Sequence, residues 1–309
     1  MIKIENLIKR YGSDIAVDNV SLSINKGEVF GLLGPNGAGK STTIRIMMGL
    51  LKANSGIVKI NDKAISKNSL DIKRILGYVP QELAIYENMS AKENVEFFGR
   101  LYGLRGKELK NRVNETLHFT GLSEKEKVKV KKFSGGMKRR LNIACAIVHN
   151  PSIVIMDEPT VGIDPQSRNH ILESVKELNK RGATIIYTSH YMEEVESICT
   201  RVGIMDFGKL IALGTKQELK LLLNDKEKIN IDTDGINSEV IDEIKNLRGV
   251  SSLDVKSNSL EIISKNAQQI LQDVLFILST EDIKVKNILI KEPDLESLFL
   301  QLTGKNLRE

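Results

Sequence analysis

"GLLGPNGAGKST", residues 31–42, decides how this chain is read. It follows the apolar run "EVFGLL" and precedes the helical "TTIRIMMGLL", so residues 34–41 fit G-x-x-x-x-G-K-[ST] between a strand and a helix. Glycines in such a loop let successive backbone N–H groups curl around a phosphate. The Lys40 ammonium offsets charge on the outer phosphates and the Ser41 hydroxyl suits Mg²⁺. The candidate phosphate-binding set is Gly34, Pro35, Asn36, Gly37, Ala38, Gly39, Lys40, Ser41 and Thr42.

Outward from this loop, residues 1 to about 213 alternate short β-branched runs ("EVFGLLG", "IVIMDEP", "ATIIYTSH", "RVGIMDFGKLIALG") with longer helical stretches. That alternation predicts an α/β fold with a largely parallel, layered sheet. Residues 83–130 lack strand-like runs, and Val95, Phe98, Leu101 and Tyr102 recur at helical spacing. They predict a helical subdomain, about 83–150, inserted into the sheet domain. After the lysine-rich "KLLLNDKEK" the order becomes β ("INIDT"), α ("SEVIDEIKNL"), β ("VSSLDVK"), β ("SLEIIS"), α ("AQQILQDVLFIL"), β ("IKVKNILI"). This βαββαβ order is that of a small ferredoxin-like α+β domain. A last helix, "DLESLFLQLTG", has Pro293 just ahead of it and Gly304 at its end. The expected domains are therefore 1–220 and 226–309.

Two further stretches carry chemistry. In "IVIMDEP", four apolar residues place a buried strand that delivers Asp157 and Glu158 at its C-terminal end, where parallel sheets bind ligands. Asp157 would hold Mg²⁺ directly or through water, and Glu158 would orient and polarise an attacking water. In "KKFSGGMKRR", the pair Gly135-Gly136 marks a helix start, whose free N–H groups and dipole attract negative charge beside the Ser134 hydroxyl.

Composition narrows the class. At 309 residues, 41% hydrophobic and 28% charged, the chain is globular and long enough for two domains. Its net charge of +5 is spread among well-mixed acids and bases, which is no nucleic-acid signature. Cys145 and Cys199 lack metal-ligand spacing and read as buried thiols in a reducing compartment. Apolar runs such as "VLFIL" are far short of the roughly 20 residues of a spanning helix. "MIKIENLIKR" has no signal-peptide core, so a cytosolic location is expected, with any membrane role exercised through a partner.

With these elements in place, residues 1 to about 220 resemble the ATP-binding-cassette (ABC) ATPases, a P-loop NTPase family. Tyr11 stands at the position of the aromatic that stacks on adenine, and residues 34–42 match the phosphate loop. Gln81 in "GYVPQE" matches the glutamine that senses Mg²⁺ and the γ-phosphate, and Ser134, Gly135 and Gly136 match the family signature. "IVIMDEP" matches the magnesium and base segment, Asp164 in "VGIDP" the loop after it, and His190 in "YTSH" the switch histidine. The resemblance implies ATP and Mg²⁺ as ligands, ATP hydrolysis with Lys40, Gln81, Glu158 and His190 as catalytic residues, and Mg²⁺ held by Ser41, Gln81 and Asp157. It also implies a head-to-tail homodimer in which each ATP bridges the loop of one copy and Ser134 to Gly136 of the other. A separate integral-membrane permease would be the partner, with the ATPase on the cytoplasmic side of the membrane and no nucleic acid.

The signature departs from the commonest LSGGQ by carrying Phe133 first and Met137 last, a change expected to tune partner contact. "SGGM" followed by basic residues is similar to exporters of the daunorubicin-resistance type, which points to export. An importer ATPase with a C-terminal sensor is the alternative. A soluble cassette acting on ribosomes or DNA is disfavoured by the single cassette and the lack of a long coiled-coil insertion between Gly39 and Ser134.

Overall fold

β1 (Ile2–Tyr11) and β2 (Asp14–Ile24) open the chain as an antiparallel hairpin, and β3 (Val29–Leu33) leads through the glycine loop into α1 (Lys40–Met47). β4 (Ser55–Ile60), the short β5 (Lys63–Ala64) and α2 (Ser69–Arg74) bring the chain to β6 (Leu76–Val79). Then come α3 (Ala91–Leu101), α4 (Gly106–Phe119), two single 3-10 turns (Ser123–Lys125 and Val130–Lys132) and α5 (Gly135–Ile147). β7 (Ile153–Asp157), α6 (Pro165–Lys180), β8 (Thr184–Thr188), α7 (Met192–Ile198) and the hairpin of β9 (Arg201–Asp206) and β10 (Lys209–Thr215) complete the first of two compact units, which divide between Thr215 and Lys216. This computed structural model describes residues 2–189, 191–222, 227–264, 266–291 and 294–304.

β3, β7 and β8 are buried at every residue, as befits strands covered on both faces. They lie inside a six-stranded sheet of order β10-β9-β3-β8-β7-β6, parallel except for the β9–β10 hairpin. A second sheet, order β2-β1-β4-β5, is antiparallel throughout and was not foreseen in a largely parallel reading. Its inner residues Ile2, Ile4, Val17 and Ile60 join Phe30, Ile44, Ile155 and Met205 in one apolar cluster, so α1 is held between the two sheets.

The helical part has its own core of Val95, Val113, Leu117, Leu141 and Val148. Three expectations need correction here. Residues 83–89 are not helical, because α3 starts only after the Ser90 cap, where Ser90 and Glu93 form a reciprocal capping box. The fully buried Asn94 braces that loop: it accepts from the Tyr86 N–H at 2.7 Å and donates to the carbonyls of Tyr86 (3.0 Å) and Ser90 (2.9 Å). Leu101 does not share the buried stripe; it is 66% exposed, since the inward face of α3 runs through Ala91, Asn94, Val95 and Gly99. Phe133, taken as a residue of partner contact, is 7% exposed and packs into the helical core, with Met137 partly buried against it.

The second unit starts with α8 (Lys216–Leu221), followed by β11 (Glu227–Thr233), α9 (Ser238–Lys245), β12 (Val250–Lys256), β13 (Ser259–Ser264), α10 (Ala267–Thr280), β14 (Val285–Lys291) and α11 (Leu295–Thr303). Its sheet is antiparallel with order β12-β13-β11-β14, and α9 and α10 bury Val240, Ile244, Ile270 and Val274 against Ile229, Ile231, Leu260 and Ile262. Among the described residues β14 pairs only with β11, and Ile288, Leu289 and Ile290 are all 37% exposed or more, so its alternating sequence does not sort into a buried and an open face. Asp294 caps α11 and Gly304 closes it in the left-handed conformation; Pro293 lies outside the described residues.

Asn94→Ala should destabilise the first unit by about 1–3 kcal/mol, because it leaves the Tyr86 N–H without a partner and takes one of two donors from each of the Tyr86 and Ser90 carbonyls. A fall in the urea midpoint at unchanged slope checks this.

Candidate functional site

β3, β8, β7 and β6 lie side by side and run the same way, so their C-terminal ends share one edge of the sheet. The glycine loop leaves β3 there, Gln81 follows β6, Glu158 follows β7, and Ser189 follows β8. An open cleft of about 510 Å³ forms at this edge, lined by Ala16, residues 36–42, Gln81, Glu158 and Val161.

The loop turns into α1 at Gly39, which has φ 97°; a Cβ there would run into the Ala16 carbonyl oxygen. α1 has no side-chain cap and no acid in its first turn, so its first N–H groups stay available to an anion. Lys40 is 6% exposed, and its ammonium donates to the carbonyls of Gly34 (2.6 Å) and Pro35 (3.1 Å). Burial lowers its pKa, against the opposing pull of Glu158 and Asp157. Ser41 is exposed at the cleft wall.

Asp157 is buried at the end of β7 and accepts the Thr188 hydroxyl at 2.7 Å, while the same Thr188 oxygen accepts the Glu158 N–H at 2.9 Å. One threonine thus stitches the ends of β7 and β8. Burial raises the Asp157 pKa; the Thr188 hydrogen bond lowers it, Glu158 raises it, and Lys40 and Arg45 lower it. Glu158 has φ 48°, a left-handed conformation that costs a non-glycine residue energy and turns the chain at the cleft. Thr188 was passed over in the motif reading; its signal was a hydroxyl residue ahead of Ser189 in "YTSH".

Gln81 lines the cleft, and its backbone is gripped from α5: the buried Arg139 guanidinium donates to the carbonyls of Pro80 (2.8 Å) and Gln81 (2.7 Å). Tyr11 lies outside the cleft lining, 49% exposed at the end of β1 with the Lys9 ammonium 5.1 Å from its ring centre. His190 lies outside the described residues. Among the described residues no group of three or more His, Cys, Asp or Glu gathers as a metal cage, and both cysteines are buried and in no disulfide.

Ser134, Gly135, Gly136 and Asp164 also lie away from the cleft lining. Ser134 caps α5, accepting the Met137 N–H at 3.3 Å, and Asp164 caps α6, accepting the Ser167 N–H at 2.9 Å. The structure joins these two helix starts: a Cβ on Gly136 would stand 2.6 Å from the Ser167 Cβ and 3.2 Å from Asp164 Oδ2. A Cβ on Gly135 would meet nothing within 4 Å. Gly136→Ala should therefore cost about 1–3 kcal/mol by overpacking, and Gly135→Ala should stay within about 0.5 kcal/mol of the parent; thermal unfolding of the two variants side by side checks the contrast.

The ABC transporter family profile matches residues 17–161. The chain is 47% identical to the linearmycin resistance ATP-binding protein LnrL of Bacillus subtilis (strain 168), with 100% of each chain covered. It is 31% identical to the daunorubicin resistance ATP-binding protein DrrA3 of Streptomyces coeruleorubidus, over 99% of this chain and 97% of that one. A solved dimeric ATP-binding cassette in a post-hydrolysis state, bound to ADP and Pi, matches with a TM-score of 0.64 and 28% identity, over 70% of this chain and 98% of its own. The phosphate loop, the strand-end acids and these full-length likenesses agree: the chain belongs to the ABC transporter family, as an ATP-hydrolysing subunit of the exporter type.

Proposed function

We propose that two copies of this chain close head to tail on ATP, and that closure and reopening drive export through a separate integral-membrane permease. The subunit would work as a peripheral protein on the cytoplasmic side of the membrane; among its described residues no helix is long and apolar enough to cross one. The observation that carries the reading is the single cleft onto which residues 36–42, Gln81 and Glu158 all face. Gly135 supports the shared site: open space over it, beside the exposed Ser134, leaves the start of α5 accessible to a phosphate held by another copy.

In the catalytic reading the Lys40 ammonium exchanges its two loop carbonyls for phosphate oxygens, and the free N–H groups at the start of α1 receive the same anion. Glu158 polarises the attacking water, Gln81 completes its surroundings, and His190 contacts the γ-phosphate. Tyr11, half exposed, stacks on the adenine, and Asp164 is a further nucleotide-binding residue. The Ser41 hydroxyl, the Gln81 amide oxygen and the nearby Asp157 carboxylate are hard oxygen donors that would hold Mg²⁺. Bound there, Mg²⁺ would neutralise phosphate charge.

Residues 83–106 would dock the permease, because Arg139 and the Asn94-braced loop tie that surface to Gln81. The second unit, whose strand order supports a ferredoxin-like type, would serve dimer contact or permease regulation. Resistance to linearmycin and daunorubicin in the relatives' names supports a cargo of the antibiotic class.

Glu158→Gln should bind ATP, hydrolyse it at least about a hundredfold more slowly, and elute as a dimer in size exclusion only when ATP is present. An ATP-loaded variant that stays monomeric would count against the sandwich. Chelation of Mg²⁺ by EDTA should stop hydrolysis by the parent chain, with phosphate release as the readout.

A further inference from the structure

Glu194, on the first turn of α7, is 2% exposed and lies outside the cleft lining. One of its oxygens, Oε2, accepts three hydroxyls: Thr160 at 2.8 Å, Tyr187 at 2.9 Å and Ser189 at 2.7 Å. The other, Oε1, accepts no hydrogen bond and faces the Arg168 guanidinium of α6 at 3.4 Å. A buried carboxylate is costly unless paired and hydrogen-bonded, and here the four contacts reach three segments: the loop after β7, the end of β8 and α6.

Those segments are specific. Thr160 lies two residues beyond Glu158, and Tyr187 and Ser189 flank the Thr188 that bonds Asp157 and the Glu158 N–H. Arg168 sits in the first turns of the helix capped by Asp164, with its guanidinium 4.2 Å from the Tyr191 ring centre. Ser189 is itself held, accepting the Tyr191 N–H at 2.9 Å. Burial and the Glu194 charge raise the Tyr187 pKa well above the usual phenol range, which keeps that hydroxyl a donor.

We infer that Glu194 is a positioning residue for hydrolysis: its carboxylate gathers the loops after β7 and β8 through Oε2, and its ion pair with Arg168 through Oε1 ties them to α6. The inference rests on the reading of Glu158 as the water-polarising base. Among the described residues the phosphate loop shares no hydrogen bond with this hub, so hydrolysis and nucleotide binding should respond differently to its loss.

In Glu194→Gln, a carbonyl turned to the hydroxyls forces the amide NH₂ against the Arg168 guanidinium, and the opposite flip sets NH₂ donors against hydroxyl donors. The kcat for ATP hydrolysis should fall about tenfold or more while KM for ATP stays within about twofold. Ser189→Ala and Thr160→Val each remove one hydroxyl and leave the Arg168 pair intact, so they report even where Glu194→Gln folds poorly. Each should lower kcat several-fold, and combining either with Glu194→Gln should add little. Wild-type kcat in Glu194→Gln, or losses in which kcat falls only as the folded fraction by circular dichroism falls, would overturn the inference. Glu158→Gln run in parallel separates the two readings: an active Glu158→Gln sinks the assignment of the base, whereas an inactive one beside a fully active Glu194→Gln sinks only the positioning role.

Discussion

Parallel pairing is the constraint from which the site follows. Because β3, β8, β7 and β6 run in one direction and neighbour each other, four loops that are distant in sequence must leave the sheet at one edge. The pairing alone sets strand ends only to within a residue or so. Thr188 removes that slack by bonding both Asp157 and the Glu158 backbone, so the two acids are referenced to the next strand as well as to their own. The left-handed turn at Glu158 is tolerated because that stitch and the buried strand on either side over-determine it.

The helical part is joined to the same edge through backbone contacts. Arg139 reaches from α5 to the carbonyls around Gln81, and Gly136, one turn earlier on the same helix, packs without a side chain against Ser167. The two adjacent glycines of the signature thus have different physical duties in this chain. One keeps a surface open; the other permits close approach of two helix starts.

Much of the site could be read from the amino acids because its chemistry is carried by contiguous residues with few alternatives. Residues 34–42 need glycine for geometry, lysine for charge and serine for an oxygen donor, and no tertiary knowledge is required to see it. "IVIMDEP" likewise announces a fully buried strand and the acids at its end. What stayed hidden depends on long-range contacts. The antiparallel pairing of β1 with β4 joins residues about fifty apart, and nothing local distinguishes those strands from parallel ones. Phe133 sits within a signature that invites a functional reading, yet its ring completes the core between α3, α4 and α5. Residues 83–89 are shaped by one buried carboxamide, Asn94, which a hydrophobic pattern counts as a polar interruption of a helix. Thr188 looks ordinary in sequence because Asp157 and Glu158 lie about thirty residues away, and Glu194 because Thr160 and Arg168, which join its near neighbours Tyr187 and Ser189 to the rest of the site, are also distant. In the second unit the order of elements was legible, but the exposure of β14 was not, since edge position is a property of the assembled sheet.

Lys40 closes the glycine loop on itself, its ammonium already withdrawn from bulk water and resting on two carbonyl oxygens. Much of that cation's dehydration is therefore completed during folding. A triphosphate bound as proposed would meet a swap of oxygen partners by one side chain, with little hydration to strip from the lysine, so more of the nucleotide's binding energy would be left for work elsewhere in the protein.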